Sequence, residues 1–537
     1  MTDYFIRTED IRPEEVISLF VETDKDRRIV EDLKSPHPVV LVGSRGVGKS
    51  FLLRVAQQEM LAGTATTGVM PVYITFSSSP LLQSLTDVQF HSWMLTKICS
   101  AIGRAISKAG LLVQIPASMK VLAGASIVSG IESTPIEQLQ LRLESVWKSG
   151  ETSIDTSTVP ELEDVKNALE DLVAQLEIKR FNLLIDEAAH IFLPRQQRLF
   201  FSLFRDLRSP YIVCKAAVYP GVTAYGPTFQ PMHDAVMVSA ERDVMGKDYL
   251  GNMREIVEKQ ADSSVLRFIE QNLTNFSTLA YAATGNPRIL LKTLARAPKL
   301  ASSEVNQVIK DYYRTDAWSE HSILATKYRG HAALIDWGRV YIEQNVLPAL
   351  KKRNDEKSEH DGGSSAFFWI HRDAPQYVQQ ALQILTYTGI VTESAMGLKA
   401  TRSEIGTRYM VNLGCLFSME AIPASTAPSI WHKFDIRRMP EYGQNHPVFN
   451  TDLTVIPTLE NDSINQQALN EQLEKSVREL DLTEWQKDTL SEIGLTTIRA
   501  VLQASEFDLQ KARYVGEIRS RRMRNAALAA TYEYLSG

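Results

Sequence analysis

Val39-Val40-Leu41-Val42-Gly43-Ser44-Arg45-Gly46-Val47-Gly48-Lys49-Ser50, running on into FLLRVAQQEM, decides the fold. Four consecutive apolar residues predict a buried strand, and the run after Lys49 predicts a helix. Between them, Gly43 to Ser50 match G-x-x-x-x-G-K-[ST] in full. Glycines let the backbone curl so that successive N–H groups converge on phosphate oxygens, and the next helix adds its positive end. In that pattern Lys49 faces the β- and γ-phosphates and the Ser50 hydroxyl faces Mg²⁺. Strand, loop and helix occur in the order that such a loop requires.

Outward from this loop, VYITF (72–76), FNLLID (181–186), YIVCKAAV (211–218) and DAVMVSA (234–240) are short, nearly continuous apolar runs. They predict buried parallel strands separated by helices, hence a doubly wound α/β sheet. Upstream, PEEVISLFVETDKDRRIVEDL predicts an amphipathic helix, with Ile17, Leu19, Phe20, Ile29, Val30 and Leu33 on its apolar face. Between about residues 80 and 180 lies a long insertion with helices at FHSWMLTKICSAIGRAISK and PELEDVKNALEDLVAQLE, to which the sequence assigns no role.

FNLLIDEAAH ends its strand on Asp186-Glu187. In phosphate-loop enzymes an aspartate at this place steadies the Mg²⁺ shell, and a following glutamate can polarise the attacking water. An acidic helix N-terminus is the alternative reading. No LSGGQ-like signature and no N-K-x-D motif is present, which argues against ABC ATPases and GTPases. Gly285-Asn286-Pro287-Arg288 opens the helix ILLKTLARA. Asn286 suits the N-cap and Pro287 the first turn, which leaves Arg288 where the helix dipole disfavours a cation unless an anion lies opposite.

Hydrophobic residues make up 44% and charged residues 23% of the 537, the balance of a soluble globular chain with several domains. No run of about 18 apolar residues is available for a membrane span, the N-terminus lacks a secretory h-region, and Cys99, Cys214 and Cys415 match no metal spacing. A cytoplasmic protein without membrane contact is expected. A net charge of −6 restricts any nucleic-acid contact to a local patch.

GSRGVGKS, LLIDE and GNPR together resemble an AAA+ ATPase, nearest to the origin-recognition/cell-division-control initiator branch and to STAND-type switch ATPases. The resemblance covers about residues 15–300 and leaves out the insertion. It implies that ATP and Mg²⁺ are the cofactors. Gly43, Ser44, Arg45, Gly46, Val47, Gly48, Lys49 and Ser50 would hold the nucleotide, Ser50 and Asp186 the metal, and Glu187 would serve as general base beside Lys49 and Arg288 (sensor 2). The sequence departs from the family twice. Tyr219 or Thr223 stands where a small polar sensor 1 residue is expected, and VTAYGPTFQPMHD contains no arginine finger, leaving Arg205 and Arg208 as stand-ins or as a solvated helix face.

The expected architecture is a core at 1–245, a helical lid at 246–300, a winged-helix-like domain at 301–420, a proline-rich linker at 421–475 and a helix-hairpin-helix unit at 476–537. APQYVQQALQILTYTGIV followed by a strand-turn-strand resembles a winged helix. The last unit resembles the C-terminal domain of the bacterial RNA polymerase α subunit, with turns at Gly494 and Gly516. Lys511, Arg513, Arg519, Arg521, Arg522 and Arg524 face only Glu517 in their stretch, so these arginines and the two turn glycines are DNA-contact candidates. Two readings follow. One is an initiator-like ATPase switch that controls DNA binding or assembly, as a homo-oligomer or with a partner protein. The other is a STAND-like module of bacterial defence or signalling whose C-terminal units bind protein. A nucleotide binder with scant turnover is a third.

Overall fold

In a computed structural model, residues 4–77, 82, 85–110, 117–124, 134–146, 154–188, 194–327, 331–358, 363–399, 404–436, 439–449, 471–517, 519–520, 522–524, 526–527 and 530 are described. Strands β1 (Val39–Val42), β2 (Val69–Thr75), β3 (Arg180–Asp186), β4 (Ile212–Val218) and β5 (Val236–Ser239) form one sheet in the order β2-β3-β4-β1-β5. Every pairing is parallel; Val39 sits between Lys215 of β4 and Val236 of β5. The P-loop strand β1 is therefore interior, between β4 and the edge strand β5; β5 is only partly covered, while β1 and β4 are buried.

Helices cover both faces. On one, α1 (Asp24–Lys34) and α2 (Lys49–Thr67) bury Val30, Leu33, Leu53 and Ala56 against Leu41 and Leu184. The other face carries the insertion, whose helices α3 (Asp87–Ala109) and α4 (Leu162–Gln175) bury Trp93, Ile98, Leu169 and Leu172 in one cluster with Ile185 and α5 (Pro194–Asp206). The insertion is thus a structural layer of the sheet, and both helices expected in it are present. The N-terminal helix is shorter than the periodicity predicts. Thr23 accepts a hydrogen bond from Asp26 N and starts α1 at Asp24, whereas residues 13–19 form turns that bury Val16 and Phe20 and expose Ile17.

Lys215, fully buried in β4, donates to the carbonyls of Asp32, Ser35 and His37 at the C-terminal end of α1. Burial pushes its ammonium down to about 7.

The lid comprises α6 (Tyr249–Glu258), α7 (Ser263–Gln271), α8 (Leu273–Ala282) and α9 (Pro287–Arg296). It shares a single hydrophobic cluster with everything onward to Phe449. That later region has the sheet order β7-β8-β6-β9, with β6 Phe367–His371, β7 Val391–Lys399, β8 Ile405–Val411 and β9 Glu441–Tyr442. The β7–β8 hairpin matches the expected wing, but a single helix, α10 (Gln376–Tyr387), lies between β6 and β7. A helix–turn–helix would need two. Gly221, at the turn after β4, has φ +77°, and a Cβ there would come within 2.5 Å of the Gln383 carbonyl, so the close seat of α10 on the core requires glycine.

Residues 421–449 correct the linker expectation. Pro423 opens the helix Pro423–Trp431, which buries Ala427 and Ile430 in the lid cluster, and β9 pairs with β6. The prolines stiffen folded structure here rather than a spacer. The remainder of the expected linker, 450–470, lies outside the described residues.

The C-terminal unit has its own small core around Leu490, Val501, Leu509 and Met523. Helices α11 (Glu484–Glu492) and α12 (Ile498–Gln503) flank the turn in which Gly494 takes φ +80°. In the next turn the left-handed residue is Tyr514 (φ +65°), not Gly516. Among the described residues no helix is long and apolar enough to cross a membrane.

Candidate nucleotide site

The P-loop leaves β1 and enters α2 through two left-handed glycines, Gly46 (φ +85°) and Gly48 (φ +102°). A Cβ on Gly46 would lie 2.7 Å from Asn286 Oδ1 and 3.0 Å from the Arg288 Cβ. Glycine is needed there for the turn and also because the lid presses on the loop. Lys49 Nζ donates to the carbonyls of Gly43 (2.6 Å) and Ser44 (3.0 Å) and lies 4.1 Å from the centre of the Tyr219 ring. Burial lowers its pKa to about 7; Glu241 and Asp186 oppose that shift while Arg288 and Arg45 reinforce it. An anion brought into this nest would stabilise the charged lysine.

Asp186 and Glu187 end β3 on the same cavity, which holds about 400 Å³ and is lined by Arg45, Lys49, Ser50, Asp186, Glu187, Tyr219 and Arg288 among others. That is within the usual size of a small-ligand pocket. Asp186 Oδ2 accepts from Tyr73 Oη at 2.6 Å, and its Oδ1 accepts from the Glu187 backbone N–H at 3.0 Å. Arg54 stacks on the Tyr73 ring at 3.4 Å. Glu187 is held at φ +55°, an unusual conformation for a residue with a Cβ and one that costs about 1–3 kcal/mol. Burial, and then the neighbouring Asp186 charge, raise the Glu187 carboxyl to about 8.

The lid reaches the loop through its expected residues. Asn286 caps α9 by accepting from Ile289 N and, through Nδ2, donates to the Arg45 carbonyl at 2.6 Å. Arg288 faces the cavity and donates from Nε to the Ile6 carbonyl at 3.3 Å. Tyr219 lines the cavity, whereas Thr223 donates its hydroxyl to the Tyr219 carbonyl. Of the two sensor 1 candidates, only Tyr219 reaches the site. Arg205 donates to the Thr228 carbonyl and pairs with Asp206, and Arg208 is exposed; neither lines the cavity.

Three further contributors were not legible in the sequence. The N-terminal arm, residues 5–11, lies along the cavity and is fixed by Phe5 N donating to Gln260 Oε1. Glu241, just past β5, accepts from Ser44 N in the P-loop. Arg242 donates to the Val47 carbonyl at 2.8 Å, approaches the Gly285 carbonyl at 3.5 Å and pairs with Asp26 at 3.3 Å, so one guanidinium joins P-loop, lid turn and α1. Their side chains are 14% (Arg242) and 4% (Asp26) exposed, so removing the arginine strands a buried carboxylate. Arg242→Ala is expected to destabilise the chain by about 3 kcal/mol, recovered in part by adding Asp26→Asn. Urea unfolding measures both, and equal losses in the single and double variants would remove the pair from this role.

In the C-terminal unit, Arg519 and Arg522 are exposed and Arg524 is half-buried, while Arg521 lies outside the described residues. Gly494 and Gly516 would each meet nothing within 4 Å on gaining a Cβ, so both turns are open to a ligand. Of the nucleotide-site candidates, Arg45, Gly46, Gly48, Lys49, Ser50, Asp186, Glu187 and Arg288 line one cavity while Gly43, Ser44 and Val47 do not, and none of the described DNA-contact candidates lines it.

A phosphate loop on an interior strand of a β2-β3-β4-β1-β5 parallel sheet, an Asp-Glu pair at the end of β3, and a helical lid entering through Asn-Pro-Arg together make a P-loop nucleotide-binding core with a lid, the arrangement expected of an AAA+ resemblance. More particularly, residues 5–73, from the N-terminal arm through the P-loop to β2, match the family model ORC-CDC6-like. No curated protein matches the chain. Among solved structures, Orc1 of Aeropyrum pernix in complex with DNA is 14% identical, covering 78% of this chain and 95% of that one, with a TM-score of 0.31. AMPPCP-bound DnaA from Aquifex aeolicus is 12% identical, covering 66% and 96%, with a TM-score of 0.27. Likeness at that level adds nothing to the reading of the site.

Proposed function

We propose that this chain is a Mg²⁺-dependent ATPase that works as a nucleotide-driven switch, initiator-like in kind, controlling DNA binding or assembly through its C-terminal unit. The observation that carries the reading is the closed seat of the lid on the P-loop, with Asn286 bonded to Arg45 and Arg288 turned into the cavity that contains Lys49. Two positive charges, Lys49 of α2 and Arg288 of the lid, converge there on the place of a terminal phosphate and repel each other without one, so nucleotide and lid position are energetically linked.

The fit to a magnesium ion rests on donor chemistry. The Ser50 hydroxyl and the Asp186 carboxylate line the same cavity, and Mg²⁺ takes few protein ligands beside phosphate oxygens and water. When bound, the ion would neutralise charge on the phosphates. The chain itself orients: Lys49 and the P-loop N–H groups bind phosphate, Tyr73 fixes the Asp186 carboxylate, and Glu187 accepts the proton of the attacking water. Arg288 holds the lid shut on the phosphates.

DNA is assigned to the C-terminal unit because α10, the helix between β6 and β7, carries no Lys or Arg and seats its backbone on Gly221. The test is duplex binding by the full chain with ATP or ADP across a salt series. Affinity should fall linearly with log salt and differ between nucleotides, and Arg521→Ala with Arg522→Ala should abolish it. Absence of binding to duplex and to single-stranded DNA alike at every salt would sink the DNA assignment and leave a protein-binding switch.

A further inference from the structure

Three aromatic rings stand out of the C-terminal unit, and each carries a cation. Phe507 is 71% exposed with Lys511 Nζ 5.2 Å from its centre. Tyr514 is 67% exposed with the Arg513 guanidinium at 5.1 Å, and Trp485 is 42% exposed with the Arg519 guanidinium at 5.1 Å. Arg519 also donates to the Tyr514 carbonyl at 2.7 Å, so one side chain ties Trp485 of α11 to the turn that holds Tyr514. Lys511, Arg513 and Tyr514 follow within that turn, four to seven residues beyond Phe507. Lys511 over Phe507 and Arg519 over Trp485 thus link both rings to the turn of Tyr514, giving one ridge of rings and cations.

Packing does not account for the ridge. The unit's core is complete without these rings, and Tyr514 sits at φ +65°, where glycine or asparagine would be the easier choice. A turn that serves only to expose backbone N–H groups to duplex phosphates gains nothing from a large ring at its apex. Exposed aromatic faces interleaved with Lys and Arg are what an unpaired strand requires, with bases on the rings and phosphates on the cations. A protein partner would profit from the rings but not from this surplus of cations: between residues 507 and 524, Lys511, Arg513, Arg519, Arg521, Arg522 and Arg524 stand against Asp508, which pairs with Lys511 at 2.6 Å, and Glu517.

We infer that the ridge Trp485–Phe507–Tyr514 is a stacking platform for single-stranded DNA. The inference rests on the assignment of DNA to the C-terminal unit and specifies the form of DNA that the ridge takes.

The full chain is titrated with a labelled oligo-dT of about 16 nucleotides and with a duplex of equal length, following anisotropy. Trp485→Ala, Phe507→Ala and Tyr514→Ala combined should weaken oligo-dT binding by at least about tenfold, while duplex binding stays within about twofold. Trp485→Phe with Tyr514→Phe, which keeps the rings, should restore most of the loss. Circular dichroism of the triple variant checks that the unit remains helical. Duplex binding without a single-strand component, or equal loss on both probes, overturns the platform and leaves the DNA assignment standing. Absence of binding to either probe overturns both. Oligo-dT affinity unchanged in the triple variant, with a drop in solution mass, overturns the platform in favour of a contact between copies of the chain.

Discussion

Lys49→Ala is expected to weaken ATP binding by on the order of 100-fold or more, because a buried ammonium facing a polyphosphate makes charge-assisted hydrogen bonds worth about 1.5–3 kcal/mol each. The same substitution should make the ligand-free chain more stable. The lysine's folded pKa of about 7 lies below its ordinary 10.5, so the charged form is disfavoured by folding. That penalty is absent well above pH 10.5, grows as pH falls, and is complete below about pH 7. The gain in melting temperature for Lys49→Ala should therefore be largest at pH 6–7 and shrink toward pH 10. Bound phosphate restores the charged lysine, so ATP binding at pH 8 should take up a fraction of a proton. Calorimetry in buffers of different ionisation enthalpy would read this uptake, which should vanish toward pH 6. Lower stability at every pH would contradict the buried-cation account.

Glu187→Gln should cut steady-state hydrolysis by about 10²–10⁴-fold while leaving ATP affinity within a few-fold, the behaviour of a general base removed from an intact binding site. In the wild type the base must be ionised, and burial raises it to about 8, so turnover should climb between pH 6.5 and 8.5 and then level. The stability sign is opposite to that of an ordinary salt-bridged carboxylate. With the folded pKa raised above 4.5, burial of this group costs stability as pH rises past 4.5, fully above about 8. The glutamine variant should accordingly gain melting temperature at pH 8 and little at pH 4. If wild type and variant hydrolyse ATP at the same near-zero rate, Glu187 leaves the catalytic set and the chain is a nucleotide binder that scarcely turns over.

The parts of the site that were legible in the sequence are those in which a local pattern dictates geometry. Gly46, Gly48 and Lys49 form a nest wherever strand, loop and helix meet, Asp186 stands where an apolar strand ends, and Asn286-Pro287 caps a helix whatever it packs on. Tyr73, Glu241 and Arg242 follow no such pattern. Their places come from the parallel register, which sets Thr75 beside Asp186 and Ser239 beside Val42, and pairing across more than a hundred residues leaves no trace in either segment. The N-terminal arm was invisible for the same reason, since its partners are Gln260 and Arg288. Prolines between 421 and 449 misled because they favour helix starts and sheet edges as well as spacers. At the last turn, the glycine rule pointed to Gly516 while the backbone placed Tyr514 in the left-handed position.

The unbroken apolar cluster that runs from the lid to Phe449 means that the lid cannot swing by itself. Through that cluster a displacement at Asn286 is shared by the region that follows the lid, which the seat of Gln383 on Gly221 also ties to the turn after β4. The same continuity fixes the smallest autonomous piece of the protein. A fragment cut near residue 300 would bare one half of a shared interior to water, whereas one ending at residue 449 would keep it whole.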